Sequence, residues 1–199
     1  MSKLAVDIVL LPDKPMTDKV LEMNAQLVEN FESEIALGPD KYLPHISLCM
    51  GVLDEADQAY VTAALARIAA EHPQGTLRAT NVVYGESESG KTVSLLEIEN
   101  PPTLQKLPQR VVFEAGRFLD KDVTAEMVAD QDVAETTLEW ISRYRAKASF
   151  ENFFPHITVG YGRLSVEARP MDFVASKLAM CHLGNHCTCK HVLFAEDID

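Results

Sequence analysis

Two ten-residue segments of this chain repeat one another. Tyr42-Leu43-Pro44-His45-Ile46-Ser47-Leu48-Cys49-Met50-Gly51 matches Phe153-Phe154-Pro155-His156-Ile157-Thr158-Val159-Gly160-Tyr161-Gly162 position for position, with Pro, His, Ile and the final Gly identical and Ser replaced by Thr. The copies begin 111 residues apart. Each reads as an apolar strand opened by a proline. Side chains at i and i+2 of a strand share a face, so His45 stands with Ser47 and His156 with Thr158, while Ile and the following Leu or Val turn to the core. Imidazole and hydroxyl are then roughly 6 to 7 Å apart at the backbone, a span that one phosphate group can bridge.

Such a doubled pair suits phosphoester chemistry. An imidazole with an ordinary pKa of about 6.5 can be neutral and accept a proton while a second is charged and donates one at the same pH. Each such step contributes roughly 10² to 10⁴ in rate, and Ser and Thr hydroxyls can hydrogen-bond the nonbridging oxygens as charge builds on phosphorus. The expectation is therefore His45 and His156 as catalytic groups, Ser47 and Thr158 as phosphate ligands, and no metal or cofactor.

Three other patterns compete. Gly85-Glu86-Ser87-Glu88-Ser89-Gly90-Lys91-Thr92 satisfies the spacing of a P-loop, but Val93 to Ile98 reads as a strand where that motif needs a helix, and two glutamates would repel the nucleotide. A hairpin is the favoured reading. Cys181, His182, His186, Cys187, Cys189 and His191 could supply zinc ligands, yet C-x-C is not the usual spacing, and small buried thiols in a sheet are favoured. Cys49 as a nucleophile would lie about 13 Å along the strand from His45.

The elements that must position these residues follow from periodicity. Leu4 to Leu11 reads as a buried strand, and Thr17 could cap a helix to about Phe31. A strand over His45 to Val52 precedes a helix over Asp54 to Glu71, with Tyr60, Leu65 and Ile68 on one apolar face and Pro73 and Gly75 ending it. Thr76 to Tyr84 and Thr92 to Ile98 form a hairpin, and a helix follows Pro101 and Pro102, kinked or restarted near Pro108. Glu114 to Glu139 holds eight acidic and two basic residues and reads as a solvated helical face with its loop. Trp140 to Lys147 closes a helix, His156 to Leu164 is a strand, and Leu178 to Leu183 pairs with Thr188 to Phe194 around a turn at Gly184 and Asn185. Alternating strands and helices with two hairpins favour an α+β domain over an all-parallel one.

Composition sets the outer limits. The 199 residues are 47% hydrophobic and 24% charged, a globular balance without a membrane-length apolar run. The formal charge of −12 is the wrong sign for gripping a long polyphosphate, so no DNA partner is expected. Leu4 to Leu11, interrupted by Asp7, does not read as a signal peptide, and four cysteines without a disulfide framework point to a reducing cytoplasm.

The paired motifs His45-Ile46-Ser47 and His156-Ile157-Thr158, half a chain apart, resemble those of the 2H phosphoesterases, the group that includes bacterial 2′-5′ RNA ligases and cyclic phosphodiesterases of the LigT type. The resemblance extends over most of the chain. It implies one bilobal α+β domain over residues 1–199, with two mostly antiparallel sheets flanking a central cleft and helices outside. It also implies metal-independent opening of 2′,3′-cyclic phosphates or 2′-5′ linkages, reversible as ligation, by a monomer acting on a small nucleotide or a short RNA end. One His would activate water and the other protonate the leaving ribose oxygen. The alternatives are a noncatalytic nucleotide-binding protein and a P-loop NTPase. Among basic residues near the motifs, Lys41, Arg143, Lys147 and Arg163 are candidates to meet phosphate, and Tyr42, Phe153 and Tyr161 to stack on a base.

Overall fold

The computed structural model describes residues 2–31, 34–72, 75–87, 90–165 and 169–198. The elements run β1 (Lys3–Pro12), α1 (Lys14–Phe31), β2 (Ile46–Asp54), α2 (Gln58–Glu71), β3 (Thr76–Glu86), β4 (Thr92–Ile98), α3 (Pro102–Glu114), β5 (Leu119–Asp120), α4 (Glu135–Ala148), β6 (His156–Tyr161), β7 (Met171–Leu183) and β8 (Cys189–Asp197). The fold is α+β, and every pairing between these strands is antiparallel.

The strands form one eight-stranded sheet in the order β5-β2-β1-β7-β3-β4-β6, with β8 also on β7. The two antiparallel sheets expected are its halves, joined through a shared strand. Met171 to Val174 of β7 pair with β3, and Ala175 to His182 pair with β1. The sheet curls until β2 and β6, with four strands between them in its order, approach one another. That closure brings the two repeated segments together.

One face of β1 explains the core. Val6, Ile8 and Leu10 are fully buried in a cluster with Met16, Val20 and Leu27 of α1 and Leu65 and Ile68 of α2. Burying side chains of this size stabilises by about 1.5 to 3 kcal/mol each. Helix α1 begins earlier than Thr17 because Asp13 caps it: its Oδ1 accepts from the Met16 N–H at 3.0 Å and its carbonyl from the Thr17 N–H at 2.9 Å. Helix α2 turns Val61, Leu65 and Ile68 inward, whereas Tyr60 is 61% exposed and stacks on Phe118 at 5.6 Å. Pro73, expected to end α2, lies outside the described residues. Helix α3 runs unbroken through the buried Pro108.

Two segments depart from their sequence patterns. Within the acidic stretch only Glu135 to Glu139 is α-helical apart from Glu114 itself; Gly116–Phe118 and Ala125–Met127 are 3₁₀ turns, and Asp132 adopts φ 53°. Aspartates compete with helical hydrogen bonding and favour such turns. Glu114 is paired with Arg67 and Arg110, and Asp130 with Lys190. The final hairpin does not turn at two residues. A 3₁₀ turn over Asn185–Cys187, with His186 and Cys187 at φ 58° and 55°, joins β7 to β8. Asn185 Oδ1 accepts from Ala134 N–H at 3.1 Å and Thr137 Oγ1–H at 2.8 Å, so the entry to α4 fixes the turn.

Candidate active site

The repeat extends to backbone geometry. In β2, Ser47 pairs with Val9 and Cys49 with Ile8, leaving Leu48 as an extra residue. In β6, Thr158 pairs with Leu95 and Gly160 with Ser94, leaving Val159 extra. A β-bulge thus follows the hydroxyl residue in both copies, bending the strand and re-aiming what comes after it. Ile46, Leu48, Ile157 and Val159 are fully buried. His45, Ser47, His156 and Thr158 are turned the other way and line one cavity of about 410 Å³.

Both histidines are held alike. The Nδ1 of His45 lies 2.8 Å from the Leu43 carbonyl, and the Nδ1 of His156 lies 2.8 Å from the Phe154 carbonyl. A carbonyl only accepts, so each Nδ1 carries the proton and each neutral ring leaves Nε2 as its acceptor. Burial lowers the pKa of both, with Leu43 and Phe154 pulling the other way; His45, further lowered by the charge of His156, falls to about 4. Phe154 also stacks on the His156 ring at 5.5 Å.

The two hydroxyls differ in company. Ser47 Oγ lies 2.6 Å from Asp7 Oδ2, which is itself 3.7 Å from His45 Nε2. Asp7 is fully buried, its Oδ1 has no hydrogen-bond partner, and burial pushes its pKa well up against the opposing pull of Ser47 and the Cys49 amide. Tyr144 of α4 hydrogen-bonds Ser47 as well, and its phenol is pushed up by burial. Neither Asp7 nor Tyr144 belongs to a motif. The available signal for Asp7 was a lone acid in an otherwise apolar, β-branched strand.

The other sequence candidates sort clearly. Lys147 lines the cavity, as do Phe153 and Tyr161, whereas Lys41, Arg143 and Arg163 do not. Arg163 lies over the Tyr84 ring at 4.4 Å. Tyr42 donates to Asp130 at 2.8 Å and does not line the cavity. Cys49 is buried and its thiol is pushed up to about 12 by desolvation, which makes it a poor nucleophile. The segment with P-loop spacing connects β3 to β4, and a strand follows where a helix is needed; Lys91 sits 2.7 Å from Glu34. Glu88 and Ser89 lie outside the described residues. Cys181 and Cys189, expected as thiols, form a disulfide between β7 and β8 at a Cα separation of 5.5 Å, although Cys189 pairs in register with Leu183 and Cys181 with Val192. Among the described residues no three His, Cys, Asp or Glu side chains are grouped to hold a metal ion. His186 instead lines the cavity, its Nδ1 3.1 Å from the Tyr161 hydroxyl, and the free Cys187 lines it too.

No protein-family model matches the chain, and no curated protein matches it in sequence. Solved structures do match in fold. A protein of Thermus thermophilus superposes with a TM-score of 0.59 at 15% identity, covering 98% of either chain. LigT of E. coli complexed with 3′-AMP superposes with a TM-score of 0.54 at 13% identity, covering 100% of this chain and 99% of that one. A structure described as a phosphoesterase gives 0.51 at 12% identity over 99% of both chains. The chain therefore has the LigT-like fold expected from its paired motifs.

Proposed function

We propose that this protein is a phosphodiesterase that opens 2′,3′-cyclic phosphates of small nucleotides or short RNA ends by acid–base catalysis between His45 and His156. The observation that carries this reading is the pair of identically bulged strands presenting two Nδ1-pinned histidines and two hydroxyls to one cavity. LigT, which shares the fold, was crystallised with phosphate and with 3′-AMP, and both are chemically close to the product of such a reaction.

The proton sequence follows from the environment. Burial leaves both imidazoles neutral in the free protein at pH 7. An arriving phosphodiester anion favours the charged form of a nearby imidazole. His45 is held down additionally by its neighbour, so His156 takes up this proton. Neutral His45 Nε2 then accepts a proton from water as the water oxygen bonds to phosphorus. The bond from phosphorus to one ribose oxygen breaks, and His156 Nε2–H donates to that oxygen. Ser47 and Thr158 hydroxyls donate to the nonbridging oxygens, and Lys147 supplies positive charge. With a ribose 5′-hydroxyl in place of water and the 3′ oxygen as the leaving group, the same steps form a 2′-5′ bond, and their reverse cleaves that bond to the cyclic phosphate.

We propose that the protein acts as a monomeric domain; the Cys181–Cys189 disulfide removes the thiol argument for a reducing cytoplasm. The test is turnover of 2′,3′-cyclic AMP in EDTA, followed by 31P NMR. A single phosphomonoester product is expected. Undiminished turnover in both His45→Ala and His156→Ala overturns the reading.

A further inference from the structure

The strands that flank the two repeats correspond in register as well. Met50 pairs with Asp7 in one half, and Tyr161, its counterpart in the other, pairs with Val93. A carboxyl group therefore stands behind the first His–hydroxyl pair where an isopropyl group stands behind the second. The sequence alone gives the two motifs equal standing. The structure does not.

We propose that Asp7 works as a neutral carboxylic acid that donates its proton to Ser47 Oγ, turning the Ser47 hydroxyl hydrogen toward the substrate phosphate. Asp7 is thus a positioning residue for the first half-site, and the proposal rests on the phosphodiesterase reading above. Ser47 has a single proton. Facing a carboxylate, it would donate that proton to Asp7 Oδ2 at 2.6 Å and present only lone pairs to an incoming anion. Facing a carboxylic acid, it accepts at the same distance, its second lone pair accepts from the neutral Tyr144 phenol, and its own hydrogen is free for a phosphate oxygen. The two arrangements share heavy-atom positions and differ only in where one proton sits.

The surroundings select the acid. Asp7 is 0% exposed, with Oδ1 unpartnered, and no lysine or arginine pairs with it among the described residues. From β2 it is faced by His45, Ser47 and Cys49, from α4 by Tyr144, and from the 3₁₀ turn by Cys187. On β7 its cross-strand neighbour is Cys181, in the buried disulfide with Cys189. None of these supplies a fixed positive charge; the Arg145 guanidinium of α4 acts on Cys49 and bonds the Gly116 carbonyl, and it forms no ion pair with Asp7. Burial lowers the His45 pKa and raises those of Tyr144, Cys49 and Cys187, so all four are neutral near pH 7. An ionised carboxylate here would have neither solvent nor counterion, and the uncharged acid is the form that such a site retains as a donor.

The Asp7→Asn variant keeps a neutral donor and the Asp7→Ala variant has none. With 2′,3′-cyclic AMP, Asp7→Ala should lose about 10- to 100-fold in kcat/KM, the value of one hydrogen bond to a charged oxygen. Asp7→Asn should stay within about 3-fold of wild type. Combining Ser47→Ala with Asp7→Ala should add little to either single loss. An Asn variant as damaged as the Ala variant overturns the proposal. Should Asp7→Ala fail to fold, infrared spectroscopy decides: wild type at pH 7 must show a protonated-carboxyl band that Asp7→Asn lacks, and its absence from wild type overturns the proposal. Because that band needs no turnover, failure of the phosphodiesterase reading and failure of the Asp7 assignment give different results.

Discussion

Asp7 on β1 and Val93 on β4 occupy equivalent positions beside the two bulged strands, facing Met50 and Tyr161 respectively. The pseudo-symmetry of the site therefore holds for the histidines, the hydroxyls and the bulges and fails one strand further back. Raising the Asp7 pKa by burial also carries a stability cost, whose sign is fixed by linkage. The folded state keeps a proton that the unfolded chain releases above a pH of about 3.9, so stability falls as pH rises from there through the raised folded value. Asp7→Asn removes this loss and should raise Tm at pH 7 by at least about 2 °C, with a smaller gain near pH 4, in calorimetric scans.

Replacing either His45 or His156 by Ala should remove most turnover, and the double substitution should cost little more, because both act on one proton-transfer sequence. Thr158→Ala, which deletes one phosphate donor without a buried acid behind it, should lower kcat by about 10-fold. Steady-state kinetics on cyclic AMP checks both, and additive histidine losses would separate the two roles.

The histidines give stability the opposite pH dependence from Asp7. Their folded pKa values lie below the ordinary value of about 6.5, so the unfolded chain binds protons that the folded one refuses. For His45 the resulting loss of stability runs from pH about 6.5 down to about 4. In urea titrations the wild type should weaken between pH 7 and pH 5, and a His45→Gln, His156→Gln protein should weaken less.

Thiol titration of the denatured, unreduced protein should find the two free cysteines, Cys49 and Cys187, and no more. Four reactive thiols would remove the Cys181–Cys189 link.

Substrate length should matter little. Each added nucleotide brings a negative charge to a chain at −12, and Lys147 is the one lysine or arginine lining the cavity among the described residues. The ratio kcat/KM should stay flat or fall beyond a few nucleotides, with a shallow salt dependence. A steep rise with length at low salt would contradict the charge argument.

The four candidate residues were legible in the sequence because a repeat makes them conspicuous: His45, Ser47, His156 and Thr158 line one cavity as their alternation implies. The bulges were not, since an extra residue leaves no compositional mark when Leu48 and Val159 are as apolar as their neighbours. Asp7 and Tyr144 come to Ser47 from β1 and α4 through pairing and packing between distant segments, which periodicity cannot register. The turn was placed at Gly184 and Asn185, the residue types that turns favour, whereas the positive φ falls on His186 and Cys187, with the His186 N–H bonded to Thr137 Oγ1 of α4 and Asn185 tied to Asp130. The disulfide was missed because Cys181 and Cys189 meet only through the β7–β8 register.

Strand β7 has a mechanical consequence. Its thirteen residues carry β3 on the first four and β1 on most of the rest, so one uninterrupted strand acts as a strut beneath both motif-bearing halves. Rotating the halves apart would shear ladder hydrogen bonds on that strand, which leaves them no axle to swing on. The width of the cavity mouth is consequently set at folding. Access to the cavity then depends on side chains at its mouth and not on clamshell motion.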